Sequence, residues 1–173
     1  MIPLDAKIQQ IQFVVMKSSI DIHVTEKTKR IDTSKIPLDI DFEILQRNDN
    51  PYFVRVVMTI KGNHDKSVAG YVFEVKVGGE YKISEEVVLD DDEFKAYVQN
   101  SAVACLINET RLYLQTLTSF HPFRSYIMPM IDMKNLWEQK TKISNEKQEK
   151  QKIPKKRSKT SNKSRTKTKI SKK

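Results

Sequence analysis

The residues best suited to polar chemistry in this sequence are His23, His64, His121 and Cys105. A histidine can shuttle a proton near neutral pH, and a thiolate beside one can act as a nucleophile. The histidines are far apart in the chain, however, and Cys105 falls inside a helical apolar run, where a small buried cysteine is common. No His/Cys spacing suits zinc, and one cysteine cannot supply such a site alone. Gly78-Gly79 lacks the further glycine and the Lys-Ser/Thr of a phosphate loop. Between two strand-like runs it reads as a tight hairpin turn. Asp90-Asp91-Asp92-Glu93 stands before a helical run, where negative charge favours the helix N-terminus more readily than it marks a cation site. No pair of carboxylates stands out for general acid–base work. These residues point away from an enzyme, and from a metal or a cofactor.

Two other features point to binding. The first is an apolar linker containing Phe120, Phe123, Tyr126, Ile127, Met128 and Met130. Methionine and aromatic side chains suit a surface that adapts to many partners, while the plainer reading is a core connection between two helices. The second is charge segregation. Residues 1–133 hold 15 Lys/Arg against 19 Asp/Glu, a net of −4, and residues 134–173 hold 16 against 3, a net of +13. From Lys150 to Lys173 there are twelve basic residues and no acidic one. Such a segment buries too little apolar surface to offset the entropy of ordering it. We divide the chain into a folded body over 1–145 and a disordered Lys/Arg-rich tail over 146–173.

The body must position the linker. Ile11, Phe13 and Val15 alternate, as do Ile20, Ile22 and Val24 after a polar break at Lys17-Ser18-Ser19. Leu38, Ile40, Phe42 and Ile44 alternate with Asp39, Asp41 and Glu43, the pattern of a half-buried strand. Asn48-Asp49-Asn50-Pro51 and Gly62-Asn63-His64-Asp65 are turn sequences flanking Tyr52–Lys61. A last strand-like run carries Tyr71, Phe73, Val75 and Val77. Short turns predict an antiparallel meander. The period then changes. No Gly or Pro interrupts Phe94 to Phe120, and Phe94, Val98, Ala102, Cys105, Leu112 and Thr116 mark a face widened by Leu106, Tyr113 and Leu117. So broad a stripe calls for more than one cover, such as the sheet and a second subunit. His121-Pro122 ends this helix, and Asp132 is placed to cap a last one. The fold class is therefore α+β: a four-stranded antiparallel sheet, a long helix, a short C-terminal helix and a disordered basic tail.

The single cysteine excludes an internal disulfide framework and suits a reducing compartment. The N-terminal residues lack a signal-peptide pattern, and no run approaches the roughly 18 apolar residues of a membrane span. The expected location is the cytoplasm.

In this order of elements the chain resembles the SecB family of protein-export chaperones. The resemblance runs over roughly 8–140. It rests on Tyr71 to Ile83 with its Gly-Gly pair, on the helix Asn100 to Thr118 with Arg111 inside it, and on Phe123 to Trp137 with Pro129, Asp132 and Leu136. It implies an ATP-independent holdase that binds unfolded polypeptides, pre-secretory clients among them, and that assembles as a homotetramer, a dimer of dimers. Carried over, the client-binding residues are Ile31, Ile36, Phe120, Phe123, Tyr126, Ile127, Met128, Met130, Leu136 and Trp137. A contact with a SecA-like export motor falls on Val72 and Glu74. Ser19 and His23 depart from the acidic residues of export-type members, and the basic tail departs from the family's short acidic one. Two alternatives stand beside this reading. One is a dedicated chaperone of a toxin–antitoxin partner. The other is a nucleic-acid-associated adaptor whose tail makes weak contacts with phosphates or another anionic surface.

Overall fold

Period-two alternation builds four strands: β1 (Ile8–His23), β2 (Leu38–Gln46), β3 (Phe53–Gly62) and β4 (Gly70–Ile83). In the computed structural model, which describes residues 7–24, 32–87, 92–121 and 123–152, they form one antiparallel sheet of order β1-β4-β3-β2. Helix α1 (Asp92–Ala96), a π-helical stretch (Tyr97–Ala102) and α2 (Val103–Ser119) follow without a break, and α3 is Met133–Lys152. This is the α+β order expected from the sequence. No helix among the described residues is long and apolar enough to cross a membrane.

The chain divides into two compact units, Met1–Leu136 and Trp137–Lys173. The second consists, where described, of the continuation of α3. That helix stays regular to Lys152, past the body's expected end at residue 145. Residues 153–173 of the basic tail lie outside the described residues.

One face of the sheet is the core of the first unit. Val54, Val56, Met58 and Ile60 from β3 meet Tyr71, Phe73, Val75, Val77, Tyr81 and Ile83 from β4, all buried. Phe94, Val98, Ala102, Val103, Leu106, Ile107 and Leu114 are the buried apolar residues of the helical layer. Each Val, Leu, Ile, Phe or Met side chain so enclosed stabilises the fold by about 1.5–3 kcal/mol.

Four features depart from the sequence reading. The meander covers only β2-β3-β4, because β1 pairs with β4 and not with β2. These are the two longest strands, and pairing them from Ile8↔Ile83 to His23↔Gly70 satisfies the most backbone groups.

Gly78-Gly79 is not a hairpin turn, since β4 passes straight through it. The glycines make room rather than a bend. A Cβ on Gly78 would lie 2.6 Å from the Met16 methyl, and one on Gly79 would lie 2.7 Å from the Tyr81 hydroxyl.

The polar stretch Lys17-Ser18-Ser19 does not break β1, which pairs regularly there and instead carries two β-bulges, one between Gln10 and Gln12 and one between Val15 and Lys17. Each inserts one residue and flips the side-chain parity. The half-buried set therefore runs Ile8 and Gln10, then Phe13 and Val15, then Ile20 and Ile22. Ile11, expected to face inward, is an inserted residue and is 50% exposed.

The buried face of the long helix is also rotated. Phe94, Val98 and Ala102 are buried as expected, but Cys105, Leu112 and Thr116 are exposed, while Thr110, Leu114 and Thr118 are buried. The wider turn of the π-helical stretch shifts the phase for everything after it.

Candidate functional site

Residues 123–132 connect α2 to α3 as an extended strap. Among the described residues, 124–131 make no backbone–backbone hydrogen bond to a neighbouring segment. Side chains hold the strap instead. Tyr71 Oη donates to the Arg124 carbonyl at 3.0 Å. The Tyr126 N–H donates to Thr118 Oγ1 at 2.8 Å. Arg111 donates from Nε to the Met128 carbonyl at 2.9 Å and from Nη2 to the Pro129 carbonyl at 3.0 Å. The partners on α2 run back from Thr118 to Arg111 as the strap runs forward from Tyr126 to Pro129, so the strap lies antiparallel to that helix.

Pinned this way, the strap alternates. Tyr126 and Met128 are buried. Tyr126 packs against Phe73 at 5.1 Å and Tyr71 at 6.4 Å between ring centroids. Ile127 is 61% exposed and Met130 85%. Phe120, at the end of α2, is 84% exposed. Three large apolar side chains thus stand in water around a segment whose other half is core. The arrangement can bind apolar surface, which gains about 25 cal/mol per Å² removed from water.

The ten client-binding residues taken from the resemblance are therefore divided. Phe120, Ile127 and Met130 are presented to solvent, and Phe123 and Leu136 are half-buried. Tyr126, Met128 and Ile36 lie in the interior. Ile31 lies outside the described residues. Trp137 is half-buried and opens the second unit. Asp132 caps α3 as expected, its Oδ1 accepting from the Asn135 N–H at 3.2 Å.

Val72 and Glu74 lie on the opposite face of the sheet from the core, both half-buried. The Glu74 carboxylate accepts from Lys17 Nζ at 2.9 Å, which holds it below the usual carboxylate range. Ser19 stands across from Glu74 on β1. The same face carries a shallow groove of about 230 Å³, lined by Gln12, Val14, Met16, Arg55, Gly78 and Glu80. Arg55 and Glu80 form an ion pair there.

The outer face of α2 is unusual in another way. Its exposed residues, Cys105, Asn108, Leu112, Gln115, Thr116 and Ser119, carry no charge, although 31% of the chain is charged. His23 ends β1, His64 lies in the β3–β4 turn, and His121 follows α2 with its ring edge-on to Tyr71 at 5.9 Å. Although Cys105 is exposed, partial desolvation of its thiol against α2 and the nearby Glu109 push it up, away from its nucleophilic form.

The sequence reading missed the pins. Arg111 stood out as a cation within an apolar helix, but nothing local names its carbonyl partners 17 and 18 residues away. Thr118 and Tyr71 looked like ordinary helix and strand residues.

No protein-family model matches the chain, and no curated protein matches it. Among solved structures, the chain is similar to the Mycobacterium tuberculosis Rv1957 SecB-like chaperone, determined in complex with a ChAD peptide from the Rv1956 HigA1 antitoxin. The identity is 14%, over 73% of this chain and 88% of that one, with a TM-score of 0.45. It is also similar to a Streptococcus agalactiae protein of unknown function, at 16% identity over 72% of this chain and 97% of that one, with a TM-score of 0.43.

Proposed function

We propose that this protein is an ATP-independent holdase chaperone of the cytoplasm that captures unfolded polypeptides on the strap. The observation that carries the reading is the exposure of Phe120, Ile127 and Met130 around a segment held open by hydrogen bonds. The motif resemblance supplies the client class, pre-secretory chains, with an antitoxin as the dedicated alternative. The test is aggregation of a chemically unfolded protein, with the full chain and with residues 1–145. Replacing Phe120, Ile127 and Met130 by Ser should abolish protection while leaving stability within about 0.5 kcal/mol, as at ordinary surface positions. Undiminished protection by that triple variant would remove the strap as the client site.

The same reading includes self-association as a dimer of dimers. The uncharged outer face of α2 favours it, since depletion of charge marks the centre of protein interfaces. An export-motor contact at Val72 and Glu74 is less favoured, because Lys17 neutralises Glu74.

A second reading rests on the tail. Twelve basic residues without an acidic one suit phosphate contacts, and the absence of interleaved aromatics from that segment argues against base stacking. Binding of nucleic acid should then fall steeply with salt and vanish when 146–173 are removed, while protection of unfolded clients persists.

A further inference from the structure

We infer that Arg111 is a positioning residue for client capture, the latch that keeps Ile127 and Met130 turned out into water. The inference rests on the strap being the client site, and it adds what makes that site persist.

An extended apolar segment in water has a cheaper alternative, which is to turn its exposed side chains inward or collapse onto its neighbours. Something must hold it open. Arg111 is placed to do so. Its Nε and Nη2 donors reach the carbonyls of two consecutive residues, Met128 and Pro129. In a regular strand, consecutive carbonyls point to opposite sides. Two that converge on one guanidinium define a kink between 128 and 129, and the ring of Pro129 restricts the backbone there further. The kink separates buried Met128 from exposed Met130. The guanidinium is itself oriented, since Nη1 donates to Asn108 Oδ1 at 2.5 Å from one turn back on α2. Among the described residues no carboxylate pairs with Arg111. Its role is therefore that of a planar fork, which the single ammonium of a lysine cannot reproduce. Thr118 holds the other end of the same segment through the Tyr126 N–H.

The experiment measures affinity of the full chain for a reduced, alkylated, permanently unfolded test protein, together with hydrogen exchange of the peptide spanning 124–131. Arg111→Lys should weaken binding about tenfold and speed exchange in the strap, with the sheet unchanged. Thr118→Val should do the same, and Thr118→Ser should restore both readouts, which keeps the test valid if one variant folds poorly. In a chain already carrying Ile127→Ser and Met130→Ser, Arg111→Lys should cost nothing more. An equal loss in that background, or wild-type affinity in the single variant, would overturn the latch while leaving the client site standing. Full affinity in the Ile127→Ser/Met130→Ser chain itself would overturn both.

Discussion

β4 and the strap are both extended, and both alternate between core and exterior. β4 buries Tyr71, Phe73 and Val75 and turns Val72, Glu74 and Lys76 the other way. The strap buries Tyr126 and Met128 and turns out Ile127. They differ in what holds the backbone. β4 is bonded to strands on both sides, so its shape is set by main-chain geometry whatever its side chains are. The strap is held by a few specific side chains of α2 and β4. They differ also in what the outward side chains are, mostly charged on β4, where Glu74 and Lys76 follow Val72, and apolar on the strap. An alternating pattern alone does not tell a solvated face from a docking face; the outward chemistry does.

The largest expected effect tests where the two regions meet. Phe73 packs on Tyr126, so Phe73→Ala should cost about 3–5 kcal/mol in urea unfolding. A cost below about 1 kcal/mol would mean that strap and sheet are not one core.

Ionisation comes next. Burial raises the pKa of Tyr71, Tyr81 and Tyr126 above the ordinary value near 10. A group whose folded pKa is raised gives its full stabilisation below the unfolded pKa and loses it as pH climbs towards the folded one. Unfolding by urea should therefore become easier from pH 10 upward. The decline should be shallower in Tyr126→Phe, and an identical slope in that variant would assign the loss to other groups.

The smallest effects separate the pins from the filling. Tyr71→Phe leaves the Arg124 carbonyl without its donor and should cost about 1 kcal/mol. Tyr126→Phe removes a buried hydroxyl that has no hydrogen-bond partner among the described residues, so it should be neutral or stabilising. Equal costs for the two would show that both hydroxyls serve packing alone.

Much of the fold was legible because its cause is local. Asp39, Asp41 and Glu43 betrayed the period of β2, and Asn48 to Pro51 the turn after it. Asp132 announced the cap of α3. What escaped depends on distant partners. Nothing near Gly78 says that the Met16 methyl needs its space. The placement of β1 beside β4 follows from pairing across more than forty residues of chain. The π-helical stretch moved the buried face away from Cys105 and Leu112, although each residue type there suits an ordinary helix. The exposed residues of the candidate site, Phe120, Ile127 and Met130, could be named from composition. Which neighbours were filling, and which side chains did the holding, could not.

The two bulges of β1 behave like a pair of compensating frameshifts. The first insertion, at Ile11, throws the inward–outward frame out of phase, and the second, at Met16, restores it. Each inserted residue stands outside the ladder, so deleting Met16 alone would join Val15 to Lys17 and leave Ile20 and Ile22 opposite Phe73 and Tyr71 of β4. Deleting Ile11 and Met16 together would leave one uninterrupted frame with Phe13, Val15, Ile20 and Ile22 still inside. The protein should thus keep its fold with either residue deleted, and each deletion should make the sheet edge straighter and stickier, the two together most of all.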